Sequence, residues 1–482
     1  MKSTYRRLLI SLIAVLGLTT STFAAEGVNV TVSKIKDLNL RIYGFVETDF
    51  ISDTTAGFNE EQDNVNVPMH QTASKAIGAN PDGTTSIQPT GVHNYTGEHG
   101  RSQMSVRNSR LGFDLTLPKT DFGLATEGVI ELDFLGNNAP NTQPGTTPGA
   151  QSERDFFNNP AVRVRHAYLN LTYNEWNAKT GQYWSLLGWQ PYYFPGENVI
   201  MPAVGQLYRR FVQARVTRTD TFGKDWTLET AADAARPPEM TGGSPEFHGG
   251  VRLASTKYKA ASLGGAGTTM VGLSVGLSGA IIPIQTAGIG NPVGEAYAID
   301  IAVPIIPSKD GVDRSNTLIA IGELMSGSGV GGLELAGLNL GAPSIATKTN
   351  AAITNTPVPD SGMVGLNLAG SAELVRVRSW RYNLQYALPG GKFAVSSGYA
   401  QVEGRNLDRF AAPGTIGTNG NTIAQWAAIS PKIQFGYASA QYDPLNWLRF
   451  AVECNQTRST YNDPNNRFAT NNRVQLTSFF LF

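Results

Sequence analysis

LNLRIYGFVETDFI, residues 38–51, alternates apolar and polar side chains over fourteen positions. Leu38, Leu40, Ile42, Val46 and Phe50 share one face with Gly44 and Thr48; Asn39, Arg41, Tyr43, Glu47 and Asp49 share the other. Successive strand side chains point to opposite faces, so this reads as a β-strand with one face for lipid and one for water. A strand in a soluble sandwich averages about five or six residues. SRLGFDLTL (109–117) and FGLATEGVIELDFL (122–135) repeat the pattern on either side of the tight turn PKTD. Further hairpins pair 162–173 with 178–187, 210–218 with 226–234, 380–388 with 393–402, and 433–442 with 448–456. Less regular strands, rich in Gly, Ser and Ala, are expected at 249–257, 270–282, 297–305 and 317–324, and a last one at 473–482.

The count comes to about sixteen strands, with turns of about four to seven residues at one end. The connections at the other end are long: 52–101, 136–160, 188–209, 325–370 and 403–428. Short turns opposite long loops are the signature of an antiparallel transmembrane β-barrel of the bacterial outer membrane. In the closing stretch NRVQLTSFFLF (472–482), Val474, Leu476, Ser478 and Phe480 share one face, and Arg473, Gln475, Thr477, Phe479 and Leu481 the other. A barrel must pair its last strand with its first, because no open edge survives in lipid. The alternative for this stretch is the edge strand of a sandwich. A terminal Phe482 suits an interfacial anchor, and the ending resembles the signature that outer-membrane proteins present to the barrel-assembly machinery. Trp176, Trp226, Phe393 and Trp447 lie in or beside the short turns, as an aromatic girdle would.

Composition agrees. Only 16% of the 482 residues are charged, against about 25% in an average globular chain, yet no apolar run approaches the roughly 20 residues of a membrane helix. Lys+Arg and Asp+Glu balance at 38 each, which argues against a nucleic-acid partner held by a basic face. One cysteine, Cys454, excludes an intramolecular disulfide framework and multi-cysteine metal sites. Residues 1–24 read as a signal peptide: Lys2, Arg6 and Arg7 precede an apolar stretch from Leu8 to Leu18, then small residues. Residues 25–37 are then a short periplasmic segment and 38–482 the barrel.

Several stretches resemble the DcaP-like family of outer-membrane porins: VRNSRLGFDLTLPKTDFGLATEGVIELDFLG (106–136), VRVRHAYLNL (162–171), GQYWSLL (181–187) and the approach to Arg210. They fall in order in the first half of the chain; the second half matches only in barrel pattern. The resemblance implies a sixteen-stranded barrel, a homotrimer, that passes small hydrophilic and especially anionic, carboxylate-bearing molecules. The helical segment that members of this family can carry before the barrel has no counterpart in the dozen residues available here. Outer-membrane lipid and lipopolysaccharide are expected neighbours, and no cofactor or metal is expected.

In a pore the lumen is the functional site. Arginine outnumbers lysine 25 to 13, and its fixed fork of donors suits carboxylates. Arg41, Arg110, Arg381, Arg449 and Arg473 fall on polar strand faces, and Arg209, Arg210 and Arg215 lie near the third long connection. That connection, GWQPYYFPGENVIMPAVGQLYR (188–209), is aromatic and Pro-rich; the expectation is a constriction loop, with Tyr192, Tyr193 and Phe194 narrowing the pore near Arg209 and Arg210. Its alternative is a surface loop. Lumenal acids, among them Glu131 and Asp133, oppose the arginines, so acidic and basic walls would face each other and set up a transverse field; the bland alternative is pairing with a strand neighbour.

Arg165 breaks the alternation, which calls for a bulge or an interfacial position. His166 and Tyr168 take the lumenal face, His166 as a hydrogen-bonded wall residue rather than a ligand. The other histidines, His70, His93, His99 and His248, fall in expected loops, where the first three would make at most a weak metal site. Enzyme motifs are weak, with no H-E-x-x-H or P-loop and no serine elbow expected. The alternatives to a porin are therefore a plugged adhesin or receptor barrel and, further behind, an outer-membrane hydrolase.

Overall fold

In the computed structural model the described residues are 28–31, 38–54, 77–79, 85–87, 100–136, 160–190, 192–193, 204–235, 244–261, 272–284, 291–330, 345–349, 352–356, 364–366, 372–406, 432–460 and 468–482. The expected signal peptide lies outside them. Sixteen strands, each antiparallel to the next, form one closed sheet. They are β1 (Asn39–Asp53), β2 in two pieces (Arg101–Ser105 and Arg110–Leu117), β3 (Ala125–Gly136), β4 (Ala161–Tyr173), β5 (Trp176–Trp184), β6 (Arg210–Phe222), β7 (Trp226–Ala235) and β8 (Glu246–Ser255). The second half supplies β9 (Ser274–Pro283), β10 (Val293–Ile306), β11 (Thr317–Ser328), β12 (Arg376–Ala387), β13 (Phe393–Gly404), β14 (Lys432–Leu445), β15 (Leu448–Thr460) and β16 (Phe468–Leu481).

The seam closes as the chain ends require. Phe45–Asp53 of β1 run antiparallel to Leu481–Arg473 of β16, and the Gly44 and Phe482 backbones exchange two hydrogen bonds at 2.9 and 3.0 Å. Below that point Val28–Thr31 pairs with Ile42–Asn39, continuing along β1 where β16 stops. Neither side of β1 is left as an open edge.

The two faces sort as the alternation demands. On β1, Val46 and Phe50 are 51% and 49% exposed, while Glu47 and Asp49 beside them are 0% and 2% exposed. Comparable outward residues recur around the barrel, for example Ile130, Val212, Leu277, Ile299, Phe450 and Leu476. A soluble monomer does not carry an apolar belt of this extent; hydrocarbon is the solvent that takes it. Trp176, Trp226, Phe393 and Trp447 are exposed at the short-turn end, where Phe393 stacks on Tyr442 at 4.3 Å and Trp447 meets Phe480 edge-on at 5.9 Å.

Several boundaries differ from the pattern-based expectation. Arg101–Ser105, of which Arg101 is the expected end of a loop and the rest carry no strand expectation, continues β2 and pairs with Asp49–Asp53; its run RSQMS holds only one large apolar residue, Met104, too little for alternation to register. β5 starts at Trp176 and ends at Trp184, because a two-residue turn, with Asn174 at φ 51°, closes Tyr173 onto Trp176. Residues 185–187 have already left the strand and turned into the lumen. His248, expected in a loop, lies on β8.

Candidate functional site

The inner wall is built from ion pairs between neighbouring strands. At the widest cluster, β4 carries a bulge: Glu131 pairs with His166 and Leu132 with Val164, leaving Arg165 as the extra residue. The bulge turns both Arg165 and His166 inward, which accounts for the broken alternation. Arg165 then reaches Glu131 at 2.8 Å and Asp133 at 2.9 Å, Arg163 reaches Asp133 at 2.6 Å, and Arg110 lies 3.7 Å from Glu131. Tyr43 donates to Glu131 at 3.0 Å.

The same construction recurs around the barrel. Arg41 pairs with Asp114 at 3.0 Å, Arg215 with Asp233 at 3.1 Å, Arg381 with Glu323 at 3.0 Å, Arg449 with Asp443 at 2.9 Å and Arg473 with Asp53 at 2.8 Å. His248 Nδ1 sits 2.6 Å from Asp233 Oδ1, and Arg209 lies 3.6 Å from Glu246. The expected separate acidic and basic walls are therefore corrected: unlike charges interleave strand by strand, because a cross-strand partner about 5 Å away compensates a desolvated charge far better than one across the lumen.

A line of rings lies along β4 to β6. Tyr168 meets Tyr183 at 4.9 Å, His166 meets Tyr183 at 5.3 Å and Trp184 at 5.4 Å, and Trp184 meets Tyr208 at 4.7 Å. His166 packs among these rings, with Nδ1 buried and without a hydrogen-bond partner among the described residues and Nε2 4.0 Å from Glu131. Lys179 places its ammonium 3.9 Å from the Tyr168 ring centroid and 4.0 Å from that of Tyr183. Arg210 lies over Trp184 at 4.6 Å and Tyr208 at 5.5 Å. By alternation Arg210 falls on the side of Val212; ring contact with Trp184 is what ties it to the His166 cluster. Neither Lys179 nor Arg210 has a carboxylate within ion-pair distance among the described residues.

The connection between β5 and β6 crosses the lumen wherever it is described. Gly188 N donates to Ser278 Oγ at 2.8 Å, Trp189 Nε1 to the Leu277 carbonyl at 3.0 Å, and the Tyr193 hydroxyl to Ser274 Oγ at 3.1 Å, all on β9. Leu207 N donates to Glu323 Oε1 on β11 at 3.1 Å, and Arg381 of β12 donates to the Tyr193 carbonyl. Leu187, Val204 and Leu207 pack against Ala280, Ile282, Met325, Val377 and Val402, while Leu186, Trp189 and Tyr193 pack against Ala302, Ile319 and Ile321. Gly276 makes the room: a Cβ there would lie 2.7 Å from Trp189 Cδ1.

Tyr192 takes the Arg252 guanidinium 3.9 Å from its ring centroid. The two tyrosines therefore meet Arg252 and Arg381, not Arg209 and Arg210 as expected, and Phe194 lies outside the described residues. Arg252, Glu323, Trp189 and Lys179 were not singled out from the sequence; alternation alone puts Arg252 and Glu323 on polar faces, but nothing marks them as loop contacts. GLSVG (272–276) does carry the letters of a serine elbow. It opens strand β9, with no helix after it, and Ser274 accepts the Tyr193 hydroxyl, so the elbow's geometry is missing.

These features define a sixteen-stranded porin barrel with an inward loop, the fold of bacterial outer-membrane channels. The chain is similar to the outer-membrane channel DcaP of Acinetobacter baumannii, at 15% identity and a TM-score of 0.59, over 95% of this chain and all of that one. It also aligns with an anion-selective porin from Comamonas acidovorans (11% identity, 92% and 100% coverage, TM-score 0.49) and with Salmonella typhi OmpF (11%, 94% and 100%, 0.48). No family model and no curated protein matches the sequence.

Proposed function

We propose that the chain forms a water-filled outer-membrane pore, as a homotrimer, for passive diffusion of small hydrophilic anions, carboxylates among them. The observation that carries the reading is the β4–β6 wall. There Arg163 and Arg165 on β4 and Lys179 on β5, with Arg110 of the neighbouring β2, stand against Glu131 and Asp133 of β3, and Lys179 is held by rings instead of a carboxylate. An ammonium or guanidinium over an aromatic face keeps its charge available to a passing anion. A sixteen-stranded barrel is wide enough for an aqueous channel, and where it is described the inward loop packs on the β7–β14 side. A hydrolase is disfavoured because His166, the strand histidine nearest the open wall, is packed among rings and faces Glu131 at 4.0 Å rather than a hydroxyl. Reversal potentials of the purified full chain in a KCl gradient across a planar bilayer test the proposal: anion preference is expected, and cation preference would overturn it.

A further inference from the structure

The outer face at the loop end is not uniform. On β1 to β4 the outward residues there are uncharged, as at Phe50, Met104, Phe134, Val162 and Val164. On β12 to β15 they are basic. Arg376, Arg378 and Arg458 are exposed and Lys432 is half-buried, and register places Arg378, Glu403 and Lys432 side by side on three successive strands. Glu403, in the middle, is taken by Arg405 at 2.8 Å. Arg376, Arg378, Lys432 and Arg458 have no ion pair among the described residues; Arg458 lies 3.6 Å from the Phe468 ring centroid.

Directly below this row the surface changes character. Gln434 donates to the Tyr399 hydroxyl at 2.6 Å and to Gln401 at 3.3 Å. Trp380 stacks on Tyr382 at 6.4 Å and meets Tyr399 at 5.3 Å. Below them come Leu384 and Val395. Such an amide and aromatic tier above an apolar one marks the membrane–water boundary, so the four cations stand at headgroup height with no ion-pair partner among the described residues. Cations beside hydrocarbon need a counter-charge, and a guanidinium fork fits a phosphate in two-pronged fashion.

We propose that the loop-end outer face of β12–β15 docks the phosphate-bearing headgroup of an outer-leaflet lipid, with Arg376, Arg378, Lys432 and Arg458 as donors above a floor of Trp380, Tyr382 and Tyr399. The site rests on the outer-membrane placement of the barrel and is independent of the pore's selectivity.

The test uses native mass spectrometry of the full chain in neutral detergent, titrated with diphosphoryl lipid A, with the same lipid enzymatically dephosphorylated, and with phosphatidylcholine. Wild type should bind the diphosphoryl form preferentially. Each basic group beside an anionic headgroup contributes enough that R376Q/R378Q/R458Q should weaken binding about a hundredfold. Binding of the triple variant within threefold of wild type overturns the proposal, as does equal binding of the dephosphorylated lipid or full displacement by millimolar inorganic phosphate. Heat-modifiable gel mobility checks that the variant is folded; if it is not, R378Q alone should still lose about fivefold, and no loss overturns the proposal. The same variants should conduct as wild type in planar bilayers, so failure of the pore reading and failure of this one are separately visible.

Discussion

Replacing Arg381 by alanine should release the inward loop. The Arg381–Glu323 pair is almost fully buried, at 2% and 1% exposure, with Nε 3.0 Å from Oε1. The same guanidinium donates to the Tyr193 carbonyl, and Glu323 also accepts Leu207 N, so one pair grips the loop on both limbs. Truncating one partner of a buried pair costs about 3–5 kcal/mol because it strands the other charge. Taking about 4 kcal/mol as the loss including the Tyr193 contact, the docked-to-undocked ratio falls roughly a thousandfold. A loop docked by about 5 kcal/mol would then be free in roughly one molecule in six. Single-channel recording should show R381A as a larger, flickering conductance.

The control is R473A, which breaks an equally buried pair with Asp53 at the seam, away from the loop. It should lower the unfolding midpoint in detergent yet leave conductance unchanged. An R381A channel with wild-type conductance and noise, or an R473A channel that reproduces the R381A behaviour, would refute the tether.

K179Q removes a cation that carries no carboxylate partner among the described residues and should cut the chloride-to-potassium permeability ratio at least twofold; an unchanged reversal potential counts against a role for the ring-seated cations. G276V would press a branched side chain into Trp189, since even a Cβ would sit at 2.7 Å, and it should raise conductance variance as R381A does, while a wild-type trace would show that the wall yields instead. Asp310 lies in the turn between β10 and β11, where the backbone N–H groups of Asp313 and Val312, each at 2.8 Å, hold its carboxyl below the ordinary range. A lowered folded value contributes stability above the ordinary carboxylate range that is lost as pH falls through the lowered value. D310N should therefore flatten the acid limb of urea stability in detergent, read by tryptophan fluorescence, and an unaltered limb would remove the turn from the account.

Strands whose two faces meet different solvents were legible, and the rest were not. β1 and β16 place Val46, Phe50, Val474 and Leu476 toward lipid and Glu47, Asp49, Arg473 and Gln475 inward, so period-2 alternation is loud. Around β9 to β11 the signal fades for a physical reason. There the inward residues Ala280, Ile282, Ala296, Ala298, Ala302, Ile319 and Ile321 are apolar because the inward loop covers them. With both faces apolar, alternation has nothing to alternate. The lumenal arginines were readable as a face, but their partners were not, since a partner is fixed by register, and the register near Arg165 is shifted by a bulge. Entry of the 188–209 segment was hinted at by its aromatic composition. Its contacts with Ser274, Ser278, Glu323 and Arg381 depend on residues about 80 to 190 positions away, which no local pattern encodes.

The seam between β1 and β16 also dictates an order of events. Asp53 and Arg473 are 420 positions apart, and bringing such distant segments together carries a loop-closure entropy of about 5 kcal/mol. Until Arg473–Leu481 has been made and delivered, β1 has one edge unpaired along Phe45–Asp53, and β15 has one edge unpaired as well. No partial chain can complete the hydrogen bonding that a bilayer demands. The cylinder must be held in an unfinished state by other means after synthesis ends, and its last zipping step commits all sixteen strands at once. Substitutions at Gly44, Asp53 or Arg473 should therefore act on the yield of finished barrels well before they alter what passes through them.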